Sequence, residues 1–265
     1  MHARDLSGRR LPSAALLVVL MTSGCSDGTE VGPDVEQMPS LGVCRVLSPD
    51  DVARPSNASD PVDCAVAHTA ETYAVGSLPD RFDDATWDGD DLGAYAYRTC
   101  ATKFMKFLGA DESLVMRTVL NWAWFRPSKE SWDAGSRWYR CDVVGGGEQS
   151  AAYVDLPTST EGVLLGRPDD RWLVCAAGES VDDAPKIPCA DRHDWRAVTT
   201  IKVGKDDDDY PGDRLVEVRT RDFCSDSVGA WLNYPVTYDF GYTWFHEAEW
   251  MAGNRRSVCW ARIES

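Results

Sequence analysis

Trp132-Asp133-Ala134-Gly135-Ser136-Arg137-Trp138-Tyr139-Arg140-Cys141 (WDAGSRWYRC) decides the fold, because the chain carries the pattern twice. WMAGNRRSVC, Trp250 to Cys259, keeps the Trp, Gly, Arg and Cys at the same spacing, W-x-x-G-x-R-x-x-x-C. Self-similarity of this kind fixes an architecture before any single element does. The agreement continues upstream. Cys100-Leu108-Gly109 matches Cys224-Leu232-Asn233, and Cys64-His68 matches Cys189-His193. The 265 residues therefore read as two diverged copies of one module, a length that suits two domains better than one.

The N-terminus is expected to be a targeting segment rather than part of either module. Arg4, Arg9 and Arg10 form a positive region, and Leu11 to Gly24 is uncharged, largely apolar and too short for a membrane span. Thr22-Ser23-Gly24-Cys25 resembles a bacterial lipobox, which makes Cys25 the expected lipidation site. Net charge is −16 as written, and removing the signal (Arg4, Arg9, Arg10 and Asp5, net +2) leaves −18. Such a surface excludes nucleic acid as a partner, because binding there draws on a basic face. Of nine Cys, Cys25 leaves eight, four per copy. An even set in an exported chain reads as disulfides, and no C-x-x-C knuckle points to a metal. Four Cys allow three connectivities. Sequential pairing is the expectation: Cys44–Cys64, Cys100–Cys141, Cys175–Cys189 and Cys224–Cys259. Each pair would then close a hairpin or pin a helix to its following strand.

Four segments follow: 1–24 signal, 25–40 flexible tether, 41–166 first module with its connecting segment, 167–265 second module. In the first module Val43 to Leu47 reads as a strand and Val62 to Leu78 as a second strand or hairpin. Tyr97, Cys100, Phe104, Phe107 and Leu108 fall on one helical stripe, with Gly109 placed to end it. The second copy repeats the device with Cys224, Val228, Trp231 and Leu232, capped by Asn233. Val115 to Phe125 reads as a strand or a helical turn leading into one, and Trp132 to Val144 as the closing strand. The connection Gly145 to Asp170 is too apolar for disorder and is expected to supply a short hairpin or strands. Arg171 to Cys175, Ile187 to Val203, Tyr242 to Phe245 and Arg255 to Ile263 are the strands of copy two, around a helix at Leu215 to Leu232. The order strand–strand–helix–strand–strand gives an α+β class. It predicts two tandem disulfide-braced modules, each a small, mainly antiparallel sheet with one helix.

The residues offer few constellations for chemistry. His68 and His193 each follow a Cys by four residues, and His68 with Glu71 has the types needed for acid–base work or ligand binding. The bland alternative is a histidine packed beside the disulfide and bonded to the backbone. The acidic loops, Asp83-Asp84 with Asp88 to Asp91 and Asp206 to Asp209 with Asp213, offer oxygen for calcium but lack the EF-hand spacing. They read as solvated loops near helix N-termini. Eleven Trp would either fill small cores or, where exposed, stack on glycan.

Each module resembles the septum formation domain of actinobacterial envelope proteins. The resemblance rests on Cys44, Cys64-His68-Glu71, the Cys100 to Gly109 helix and Pro127-Trp132-Gly135-Arg137-Cys141. It rests equally on Cys175, Cys189-His193, Cys224 and Trp250-Gly253-Arg255-Cys259. Copy two lacks the Glu and the Pro. The resemblance implies a role in cell division or the envelope and no catalysis. The expected protein is a non-catalytic, lipid-anchored, extracytoplasmic binding or adaptor module. It would have no cofactor or metal, and its partner would be an envelope protein or wall polymer. The alternatives are a wall-glycan binder using exposed Trp and an envelope enzyme using His68 and Glu71.

Overall fold

The computed structural model describes residues 36–147, 150 and 152–263. The signal and Cys25 lie outside them. Module one runs β1 (Cys44–Arg45), a helical turn α1 (Pro49–Val52), β2 (Ala70–Ser77), α2 (Asp90–Leu108), α3 (Glu112–Val115), β3 (Asn121–Phe125), α4 (Lys129–Asp133) and β4 (Trp138–Val144). Module two runs β5 (Val174–Ala176), β6 (Lys186–Pro188), β7 (Trp195–Lys202), α5 (Asp213–Trp231), β8 (Phe240–Thr243), α6 (Glu247–Ala252) and β9 (Arg256–Arg262). The sheets are antiparallel, with strand orders β1-β2-β4-β3 and β6-β5-β7-β9-β8. The repetition reaches single residues. The register slips between Thr72 and Ala74 in β2, and between the equivalent Ala197 and Thr199 in β7. A bulge kept at the same place in both copies marks a shared device for bending the strand. The fold is α+β in two tandem copies.

Disulfides join Cys44 to Cys64, Cys100 to Cys141, Cys175 to Cys189 and Cys224 to Cys259. The second and fourth tie each long helix to the closing strand of its module, an interior strand of the sheet. Both helices form for the same reason. Leu92, Ala96, Cys100, Phe104 and Leu108 stand four residues apart and are buried, as are Val216, Thr220, Cys224 and Val228. Gly109 ends α2 at φ 75°, and Asn233 follows α5 at φ 64°, the left-handed turn that Gly and Asn adopt most readily.

Four expectations need correction. Trp132 lies in a short helix, α4, so the first closing strand begins only at Trp138; Trp250 lies in the equivalent α6, and the second closing strand, Arg256–Arg262, falls within the expected Arg255 to Ile263. Local capping decides this: Ser128 accepts from Ser131 N at the start of α4, and Gly135 and Gly253 turn out of the helices at φ 100° and 120°. The connection from 145 to 170 forms no strand among the described residues; apart from local turns, its backbone N–H groups reach the carbonyls of Thr69, His68, Phe107 and Leu108 one at a time. Trp231 is not on the buried stripe but 50% exposed, whereas its counterpart Phe107 lies half-buried beneath that connection. The tether is pinned at its end. Glu36 Oε2 accepts from Ser128 N, and its carbonyl accepts from Trp138 Nε1.

The modules share a core. One cluster runs from Cys100, Phe104 and Trp132 to Val174, Trp195 and Trp260. Backbone bonds Val119 N to Trp172 O (3.0 Å) and Val174 N to Arg117 O (2.9 Å) stitch the copies together. Arg117 also reaches the β7 carbonyl of Val198 at 3.1 Å.

Candidate functional site

The residues singled out in the sequence are used to hold the fold. His68 is 1% exposed, and its Nδ1 donates to Val66 O at 2.8 Å. His193 repeats this toward Asp191 O at 2.7 Å. A carbonyl has no proton to give, so Nδ1 carries the hydrogen in both rings. Glu71, 4% exposed, accepts from Ser159 Oγ at 2.9 Å and from Thr160 N and Oγ1, both at 2.6 Å. Its carboxylate is the anchor of the connecting segment. The counterpart Arg196 pairs instead with Asp170 at 2.5 Å. Ligating atoms of Cys175, Cys189 and His193 lie within 4.8 Å of one another, but the two sulfurs are already bonded to each other.

The doubled motif is a clasp. The Arg137 guanidinium lies 4.1 Å over the Trp132 ring and that of Arg255 3.6 Å over Trp250. Arg137 donates to the carbonyls of Trp132, Ser136, Phe82 and Asp83. Arg255 donates to those of Trp250, Asn254, Lys205 and Asp206. The planar fork thus ties the helix end to the acidic loop of its own module, a job Lys cannot do. Three acids of the second loop have local partners. Asp206 pairs with Lys202 at 2.9 Å, Asp208 accepts from Lys205 N, and Asp213 from Tyr210 OH. Asp90 and Asp91 stand in the first turn of α2, where the helix dipole favours them.

Sequence reading missed a buried charge network. Arg45 Nη1 donates to Thr72 Oγ1 at 3.0 Å, and Thr72 donates on to Asp142 Oδ1 at 2.7 Å. Arg140 Nε approaches Asp142 Oδ2 at 3.0 Å, with the side chains 2% and 0% exposed. That approach is an ion contact without hydrogen-bond alignment. Burial raises the Asp142 carboxyl above the usual range, against the pull of Arg140, Thr72 and Arg45, and it lowers both arginines. A signal existed: aligning the copies sets Arg140 and Asp142 against Val258 and Trp260.

A concavity at the seam has two lobes, of about 320 and 440 Å³, that share Asn121 and Asn254 among their lining residues. Trp244 lines one lobe, Tyr97 and Trp122 the other. Its charged side chains are engaged. Glu112 pairs with Arg256, Lys186 Nζ donates to Val181 and Ala184 carbonyls, and Glu249 accepts from His246 N. Burial lifts the Tyr97 hydroxyl to about 12, with help from Glu112. Of the eleven Trp, only Trp231 is exposed; Trp87, Trp122, Trp124 and Trp244 are half-buried and six are buried. Neither His68 nor Glu71 lines this cleft.

Comparison with curated proteins and with solved structures finds no match. A family model described as septum formation matches twice, over residues 26–125 and 120–259, so that the matches meet inside β3. Each match covers its own copy of the long helix and the Cys–His pair, and the chain belongs to the septum formation family.

Proposed function

We propose that the chain is a non-catalytic binding module, anchored by lipid at Cys25 to the outer face of the cell membrane, that holds an envelope partner. Family membership links it to cell division or the envelope. The observation that carries the reading is the seam cleft. It is lined by half-buried aromatic rings and carboxamides, with its charged side chains already bonded inside the protein, Glu112 to Arg256 and Lys186 and Glu249 to backbone groups. That lining suits recognition, and sites of this kind gather where domains meet. The Glu71 carboxylate holds the connecting segment and the His68 ring its own loop at Val66 O, which weighs against the acid–base alternative. No helix among the described residues is long and apolar enough to cross a membrane, so the reading places attachment on the lipid.

The test is a pull-down from detergent-solubilised envelope with the mature chain as bait. Recovery of a specific envelope protein or wall fragment supports the reading; recovery of none counts against it. Cys25→Ala should release the protein from membranes, and unchanged fractionation would sink the anchor.

A further inference from the structure

The seam cleft takes an uncharged glycan segment, we propose, with pyranose faces against Trp244 and Trp122 and with polar substituents bonded by Asn121 and Asn254. The inference rests on the binding-module reading above and assigns its ligand class. Three observations converge on it. Two carry positive and two carry negative charge among Lys186, Arg256, Glu112 and Glu249, and each is bonded within the protein. A charged ligand would have to displace one of those bonds, whereas a neutral one leaves them intact.

The second observation is the orientation of the two amides. Asn121 Oδ1 accepts from Trp122 N at 2.8 Å, and Asn254 Oδ1 accepts from Arg256 N at 2.8 Å. With the oxygens fixed by the backbone, the Nδ2 groups are the ends left to donate, and both residues line both lobes. Hydroxyl and acetamido oxygens are the acceptors that such donors suit. The third is the rings. Trp244 is covered on one side by the His246 ring at 4.1 Å, and Trp122 meets Tyr97 edge-on at 5.7 Å. Each indole is half-buried, held rigidly and still partly open. An amphipathic ring beside oriented amides is the chemistry that reads a sugar, whose faces are apolar and whose rim is polar.

The experiment titrates the full mature chain with a short chitin oligosaccharide, a cello-oligosaccharide and a neutral Gly-Ala peptide, read by tryptophan fluorescence and calorimetry. Saturable binding of either oligosaccharide is expected, and a preference for the chitin series would assign the amides to acetamido groups. Trp244→Ala should weaken binding about tenfold, the upper range for one aromatic contact. Asn254→Asp keeps the Oδ1 acceptor for Arg256 N and replaces the donor, so it should weaken binding with melting temperature unchanged. Trp231→Ala, on the exposed helix end, should change nothing. No saturable oligosaccharide binding, equal competition by the peptide, or loss confined to Trp231→Ala would each overturn the proposal. Recovery of a protein partner in the pull-down without glycan binding would overturn the ligand class and leave the adaptor reading standing.

Discussion

Glu71→Ala separates a structural carboxylate from a catalytic one. In the folded protein the Glu71 carboxylate takes three hydrogen bonds, from Ser159 Oγ, Thr160 N and Thr160 Oγ1. Ser159 is exposed, so water replaces its lost partner. Thr160 is 0% exposed, and its amide and hydroxyl would be left buried without an acceptor. Each orphaned donor costs about 1–3 kcal/mol. Some relaxation of the segment is expected, so the loss should come to about 3 kcal/mol, within the range where breaking a buried polar network is diagnostic. Glu71→Gln keeps an oxygen for Thr160 and loses the charge, and should cost about 1 kcal/mol. Urea denaturation of the oxidised protein measures both. Hydrogen exchange at Thr160 and proteolysis near Arg167 should show the connection loosening first, since its own buried Leu156 and Leu164 leave the core with it. Stability within about 0.5 kcal/mol of wild type for Glu71→Ala, the range of ordinary surface changes, would refute the anchoring argument.

Other consequences are equally open to measurement. Arg137→Lys should cost about 1–3 kcal/mol, because an ammonium keeps neither the 4.1 Å stack on Trp132 nor the fork to four carbonyls; Arg255→Lys should cost about as much, and thermal melts check both. The Tyr97 hydroxyl is raised to about 12 in the folded state, mainly by burial. A raised folded value means the stability is fully present below the unfolded value near 10 and is lost as pH climbs through about 12. Tyr97→Phe should flatten that alkaline loss and leave neutral stability nearly unchanged. Tyr234 sits at φ 52° and is 72% exposed, so Tyr234→Gly should raise the urea midpoint by an amount equivalent to at most about 1 kcal/mol. A lower midpoint would mean that the ring packs on something the strain argument omits.

What was legible in the sequence was whatever repeats or has a period. Cys100 and Cys224 lie on helical stripes, and Gly109 and Asn233 stand where a left-handed cap belongs, so both long helices follow from local chemistry. The short helix at Trp132 reads as strand from the sequence because its signal is a cap, Ser128, and not a period. The fate of Trp231 was hidden for a different reason. Helical spacing places it beside Leu232, yet whether such a position is covered depends on a segment far away in the chain; over Phe107 that segment is present, its Gly162 N bonded to Phe107 O at 2.8 Å. The cleft was not readable at all. Asn121 and Asn254 are far apart in sequence and line one concavity only because the copies dock through Val119 and Trp172.

The same sheet face carries opposite chemistry in the two copies, and this explains why they dock in one way. In copy two the positions equivalent to Arg45, Thr72, Arg140 and Asp142 are Ala176, Ala197, Val258 and Trp260, all buried in the core shared with module one. Apolar side chains suit a face that must leave water against another domain, at about 25 cal/mol per Å² of area removed. In copy one that face is closed by the chain's own loop and incoming segment. Ser59 O accepts from Arg45, Asn57 from Arg140, and the Glu36 carbonyl from Trp138. Loop carbonyls need donors, and the two guanidiniums supply them, with Asp142 balancing part of their charge. Exchanging the sets would strand those carbonyls in copy one and bury unpaired arginines at the seam in copy two. Divergence at these four positions, more than at the shared Trp–Gly–Arg–Cys motif, is what turns a duplicated module into one molecule with a cleft.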